Sequence, residues 1–303
     1  MLGERGVDVL FHDAFGQAWA KDVINNLRLD DVKMFKAEYG DLPETSGVSK
    51  DRDVIFVYNG TTSGVKFDNL DFISNEREGL SICDATSAVF AYDMDWKKLD
   101  IVTFSWQKVL GGEAAHGVMI LSPRAVKRLD RSIPNWPVPK LFNLKNADGS
   151  LNRKIFEGDT INTPSMLCIE DLILALNWAK SVGGLDGLMK RTESNLQAVT
   201  DWINTSSWCR FLAKIEKNRS STSICLEVKD EEFNALPLEE QKAKINEMVS
   251  LLEKEKVAYD IKSYKDAPLG LRIWGGATVE TSDIKALLPW LDYAFYQAFK
   301  GKV

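Results

Sequence analysis

Lys108 follows the apolar run Ile101–Phe104 and stands just ahead of the pair Gly111-Gly112. A second apolar run, Leu80–Cys83, ends in Asp84-Ala85-Thr86-Ser87, which places a carboxylate 24 residues before the amine. An aspartate at the end of one strand and a lysine just past the next is the pair that pyridoxal phosphate (PLP) chemistry uses. The amine condenses with the cofactor aldehyde. The carboxylate keeps the pyridine nitrogen protonated, so that the ring can take up the electrons of a substrate carbanion. Taken singly, each residue has a plainer reading. A lysine after a strand is usually on the surface, and an aspartate there usually serves a turn or cap. Their order and context favour the chemical one.

Five blocks occur in one order: Asn59-Gly60-Thr61-Thr62-Ser63-Gly64, Cys83-Asp84-Ala85-Thr86-Ser87-Ala88, Ser105-Trp106-Gln107-Lys108-Val109-Leu110-Gly111-Gly112-Glu113, Asn162-Thr163-Pro164-Ser165 and Gly270-Leu271-Arg272-Ile273-Trp274. Together, and through essentially the whole chain, they resemble the phosphoserine aminotransferases, a family of class V aminotransferases with the type I PLP-dependent transferase fold. The resemblance implies amino transfer from glutamate to 3-phosphohydroxypyruvate, giving 3-phosphoserine and 2-oxoglutarate within L-serine biosynthesis. It also implies pyridoxal 5'-phosphate as cofactor and a homodimer. Two alternatives stay open: another class V aminotransferase, of the serine or alanine–glyoxylate type, and a fragment that folds without turnover. A cysteine desulfurase is disfavoured, because no cysteine sits in an evident glycine-rich loop.

Residue by residue, the resemblance makes Lys108 the lysine that holds PLP and then moves a proton between the substrate α-carbon and the cofactor. It makes Asp84 the partner of the pyridine nitrogen. Thr61 is implied near the ring hydroxyl, with Thr86 and Gln107 on the cofactor phosphate. Asn162 and Thr163 are implied on the cofactor phosphate of the other subunit. Locally, that segment is also a polar turn in which Thr163 caps a helix begun by Pro164. Arg272 is implied on the substrate carboxylate, whose planar shape suits a guanidinium better than an ammonium. An aromatic ring usually covers the PLP face in this superfamily. Phe15, nearer the end of the preceding strand, is preferred to Trp19, which reads as a core residue. His116 lies near Lys108 in sequence and is a candidate for the substrate pocket. Family members carry a further N-terminal stretch ahead of the segment that begins here at Met1-Leu2-Gly3. That stretch holds a small-residue loop on the cofactor phosphate and basic residues for the substrate phosphate. The chain reads as lacking it, so weak PLP binding and little turnover are expected.

The elements that must position these residues follow from apolar patterning. The chain of 303 residues, 45% hydrophobic and 27% charged, suits a soluble globular protein with a sizeable core. A net charge of −6 argues against nonspecific nucleic-acid binding. The four cysteines show no CxxC spacing and read as reduced thiols of a cytoplasmic protein, and two histidines are too few for a multi-histidine zinc site. No apolar run is long enough to span a membrane.

The first half alternates strand and helix signals, the pattern of an α/β protein with a mostly parallel sheet. Val7–Phe11, Val54–Tyr58, Leu80–Cys83, Ile101–Phe104 and Val118–Leu121 read as strands, and Phe15 to Leu29 as a helix. The loops after three of those strands are expected to converge on one crevice. Pro134, Pro137 and Pro139 mark an extended segment. Ile169, Leu172, Ile173 and Leu176 form a helical stripe that Gly183-Gly184 ends. This break divides a PLP-binding large domain, 1–183, from a small C-terminal α+β domain, 184–303. In the latter, Ile224–Val228, Val257–Ile261 and Leu271–Trp274 read as strands. Ile245, Met248, Val249 and Leu252 mark a helix. Ser282 is expected to cap a last helix that Pro289 kinks or splits.

Overall fold

In the computed structural model, which describes residues 1–133 and 136–301, two β-sheets organise the chain. The larger is built from β1 (Val7–Phe11), β2 (Val32–Lys36), β3 (Asp53–Val57), β4 (Ser81–Asp84), β5 (Ile101–Ser105) and β6 (Gly117–Leu121). Their order is β2-β1-β3-β4-β5-β6. Every neighbour is parallel except β6, which returns antiparallel beside β5. Every residue of β1 and β3 is buried, as central strands covered on both faces require. This is the mostly parallel α/β sheet that the alternating pattern implies.

Helix α1 (Ala14–Lys21) is capped by Asp13, whose carboxylate accepts the Gly16 N–H at 2.8 Å. It is shorter than expected: a π-helical turn, Asp22–Asn26, follows, and Arg28 at φ 52° ends the segment. Helix α2 (Pro123–Arg131), not anticipated from the sequence, starts on a Ser122 cap with proline in its first turn. Helices α3 (Met166–Ser181) and α4 (Gly184–Thr205) are separated by Gly183, whose φ of 105° suits a residue without Cβ. Of the proline-marked segment, Pro134 lies outside the described residues, and Pro137 and Pro139 are in irregular chain.

The smaller sheet is antiparallel, in the order β7 (Cys209–Phe211), β8 (Ser223–Val228) and β9 (Gly270–Trp274). Helices α5 (Glu231–Asn234), α6 (Leu238–Lys254) and α7 (Thr281–Phe295) complete this part. Its core centres on Trp208 and Phe295, stacked with centroids 4.4 Å apart. No helix among the described residues is long and apolar enough to cross a membrane.

Three local expectations need correction. Val257–Ile261 is not a strand. Lys256 and Asp260 have φ of 58° and 51°, outside the β region, and only Lys262 makes an isolated bridge to Leu271. The last helix begins at Thr281 with Glu280 in the cap position, so Ser282 lies inside it. Pro289 does not split that helix. Pro289 and Lys285, the residue whose carbonyl loses its partner, are both exposed, so water can serve the freed oxygen.

The amino-terminal side of the large sheet is held by ion pairs. Arg52 Nε lies 2.5 Å from buried Asp8, Arg128 Nη1 2.6 Å from buried Asp53, and Arg77 Nε 3.0 Å from buried Asp100. Removing one partner of such a pair costs about 3–5 kcal/mol, because the other charge stays buried. This leaves the carboxyl ends of the strands free for irregular, polar loops.

Candidate active site

The loop after β3 is fixed from below by His12, at the end of β1. Its Nδ1 lies 3.0 Å from the Ser63 hydroxyl, and a Cβ on Gly60 would fall 2.7 Å from its ring. Asn59 Nδ2 donates to the Ser87 hydroxyl at 2.8 Å and to the Thr222 hydroxyl at 3.0 Å. The loops after β3 and β4 are thereby tied to each other and to the edge of β8. The Tyr92 hydroxyl adds to this, donating to Asn59 Oδ1 at 3.1 Å and accepting the Ser221 N–H at 2.9 Å.

Asp84 is the last residue of β4. Its Oδ1 accepts both the Thr86 N–H at 3.0 Å and the Thr86 hydroxyl at 2.7 Å. Among the described residues, Oδ2 receives no hydrogen bond. Burial pushes the Asp84 carboxyl above the usual range, and the two Thr86 bonds oppose that shift.

Lys108 lies in the turn after β5. Its amine makes no hydrogen bond or ion pair among the described residues, and it sits 5.5 Å from the centroid of the Trp274 ring. Burial lowers its pKa, and the neighbouring Arg272 lowers it further, while Asp260 and Asp84 act the other way. A lowered pKa increases the fraction of free amine, the nucleophilic form.

A cavity of about 520 Å³ brings Lys108 together with Thr61, Gln107, Asp260, Arg272 and Trp274. Arg272 and Trp274 reach it from one face of β9, two residues apart. Beside Lys108 in sequence, Gln107 Oε1 and Trp106 Nε1 are buried without a hydrogen-bond partner among the described residues, as is His116 Nδ1. Such atoms call for an explanation in a folded protein, and a bound polar group is one.

Not every expected site residue is gathered there. Asp84, at the end of the neighbouring strand, and Thr86, in the turn after it, do not line the cavity, although Asp84 and Lys108 feel each other's charge. His116 does not line it either; its ring stacks on Trp106, with centroids 5.4 Å apart. Nearness in sequence did not determine which way that ring turns. Phe15 is half-exposed in the first turn of α1 and packs on Tyr264 at 5.8 Å, outside the cavity wall. Trp19 packs against the core cluster that includes Val7, Val9 and Phe11 of β1. Asn162 and Thr163 are exposed. Thr163 does not cap a helix: α3 starts at Met166 with Ser165 in the cap position, two residues further on. Two residues were missed, Trp274 and Asp260. The first was legible from its alternation with Arg272; the second carries no sequence signal.

No family model matches the chain. A phosphoserine aminotransferase of Methanosarcina barkeri (strain Fusaro / DSM 804) is 55% identical over 295 residues, covering 97% of this chain and 77% of that protein. The chain belongs to the phosphoserine aminotransferase family. Among solved structures, this family member is similar to a phosphoserine aminotransferase from Cytophaga hutchinsonii, with a TM-score of 0.77 at 21% identity over 96% of this chain and 77% of that one. It is about as similar to an alanine–glyoxylate aminotransferase from Nostoc sp., with a TM-score of 0.75 at 16% identity over 96% of this chain and 75% of that one. At these identities the likeness concerns the fold, and one fold hosts both activities.

Proposed function

We propose that this chain is a PLP-dependent phosphoserine transaminase, which passes the amino group of glutamate to 3-phosphohydroxypyruvate and releases 3-phosphoserine and 2-oxoglutarate. The observation that carries the reading is the meeting of Lys108 and Arg272 in one cavity, in a chain 55% identical to a phosphoserine aminotransferase. The residues present fit the cofactor: an amine without a partner among the described residues, and a half-buried carboxylate with one oxygen open.

PLP, when bound, supplies an electron sink for breaking bonds at the substrate α-carbon. Lys108 would hold it through Nζ, and its free amine would carry the proton to and from that carbon. Asp84 would pair with the ring nitrogen, while Thr86 keeps Oδ1 fixed. Thr61, Thr86 and Gln107 supply polar groups around the ring and phosphate. Arg272 orients the substrate by its carboxylate. With PLP in excess and glutamate as donor, kcat/KM for 3-phosphohydroxypyruvate is expected to exceed that for glyoxylate by at least about 10²-fold. Equal or better use of glyoxylate would overturn the assignment.

The reading includes a homodimer in which Asn162 and Thr163 serve the neighbouring site. Helix α3 supports it. The helix buries Cys168, Ala175 and Ala179, yet Leu167 and Leu174 on its other side are 74% and 70% exposed, beside Met166 and Ile173. Large apolar side chains left this exposed along one helix call for a second covering surface. Sedimentation of the PLP-loaded protein at micromolar concentration is expected to give twice the chain mass, and Leu174→Glu to shift it toward the monomer. A wild-type monomer that turns over would contradict the dimer. The cytoplasm is the compartment that agrees with four buried, free cysteines.

A further inference from the structure

Arg272 is already engaged in the cavity. Its Nη2 donates to Asp260 Oδ2 at 3.2 Å. The two side chains stand in different surroundings: that of Arg272 is 20% exposed and that of Asp260 is 91% exposed. The guanidinium is set in the cavity wall, on β9, and its partner reaches it from the solvent side. Asp260 comes from the irregular segment between α6 and β9, where residues 256 and 260 both adopt positive φ. Aspartate tolerates that conformation better than most residues.

We infer that Asp260 is a stand-in carboxylate, which occupies Arg272 until the substrate carboxylate displaces it and so sets the affinity for substrate without touching the reacting atoms. The inference rests on the reading of Arg272 as the substrate-carboxylate arginine. A guanidinium offers five N–H donors in a planar fork, and the single bond to Asp260 uses one of them. A substrate carboxylate can take two parallel bonds from the same fork, which is the stronger arrangement. The pair that it replaces is weak, because Asp260 is solvated and held by one contact. Asp260 therefore satisfies the arginine between turnovers and yields to a better-matched ligand. It also offsets a second cation in the same wall, since Arg272 and Lys108 both line the cavity.

Asp260→Asn keeps the shape of the side chain and removes its charge. Two quantities are compared, the first in the wild type and D260N, the second in those two, R272Q and the double variant. One is the rate at which phenylglyoxal labels Arg272, followed by peptide mass spectrometry. The other is KM for glutamate and for the keto acid. In D260N the labelling of Arg272 is expected to quicken by about two- to fivefold, and KM to fall by a similar factor with kcat unchanged. R272Q is expected to raise KM strongly, and D260N on that background to change nothing further. Where turnover is too slow to follow, the labelling rate and its suppression by 2-oxoglutarate decide. If R272Q weakens substrate binding while D260N alters neither labelling nor KM, the role of Asp260 is wrong and that of Arg272 stands. If R272Q leaves KM unchanged, or if 2-oxoglutarate fails to slow the labelling of Arg272 in the wild type, both readings fall.

Discussion

Replacing Lys108 by alanine is expected to abolish covalent capture of PLP and to lower amino transfer by at least about 10³-fold, with the fold intact. The amine is the one group in the cavity that can both bond to the cofactor aldehyde and move a proton at the substrate α-carbon. It has no structural partner among the described residues beyond the face of Trp274, so its loss removes little that holds the fold together. Lys108→Arg keeps the positive charge and loses the nucleophile, so it is expected to fail as badly as alanine. Stopped-flow spectra and steady-state rates check this. Turnover within tenfold of wild type in either variant would contradict the assignment.

Asp84→Asn is expected to lower turnover by about 10²–10³-fold, the range found when one preorganised electrostatic partner is removed. The amide oxygen of asparagine can still accept both Thr86 bonds, so the loop geometry survives while the charge does not. Stability is expected to move the other way. Burial raises the folded-state pKa of Asp84 above its value in the unfolded chain. Between those two values the folded state binds more protons, so stability falls as pH rises through that window. At neutral pH the ionised carboxylate therefore opposes folding, and the asparagine variant, without PLP, is expected to melt at a higher temperature than the wild type. Thermal melts at pH 5 and pH 8 test the sign. A variant less stable than wild type at pH 8 would show that the Asp84 charge is compensated in the unloaded protein.

The parts of the fold legible in the sequence were those in which one physical effect dominated. β1, β3 and most of β4 are apolar runs because neighbours cover both of their faces, and β5 shares this at its first two residues. β2 and β7 escaped notice for the opposite reason. β2 is an edge strand with three of five residues exposed, and β7 is only three residues long. Val257–Ile261 has the composition of a strand because Val257, Ala258 and Ile261 pack on the core of the smaller sheet, yet left-handed residues at 256 and 260 deny it a ladder. Apolar content reports burial, and burial does not require pairing.

The site divides in the same way. Asp84 and Lys108 stand at the ends of adjacent parallel strands, and the carboxyl-end rule was enough to bring them near each other. The contact between Asp260 and Arg272 was hidden, because it depends on a turn whose dihedral angles no local pattern encodes. The directions of His116 and Phe15 were equally hidden. Both are set by partners far along the chain or by stacking, Tyr264 for Phe15 and Trp106 for His116.

The central claim is that Lys108 carries PLP. Borohydride reduction of the PLP-loaded protein, followed by peptide mapping, tests it directly. The account predicts one pyridoxyl group, on the peptide containing Lys108, and none on the same peptide in the alanine variant. A label on another lysine, or an unlabelled Lys108 in protein that has bound PLP, would contradict it.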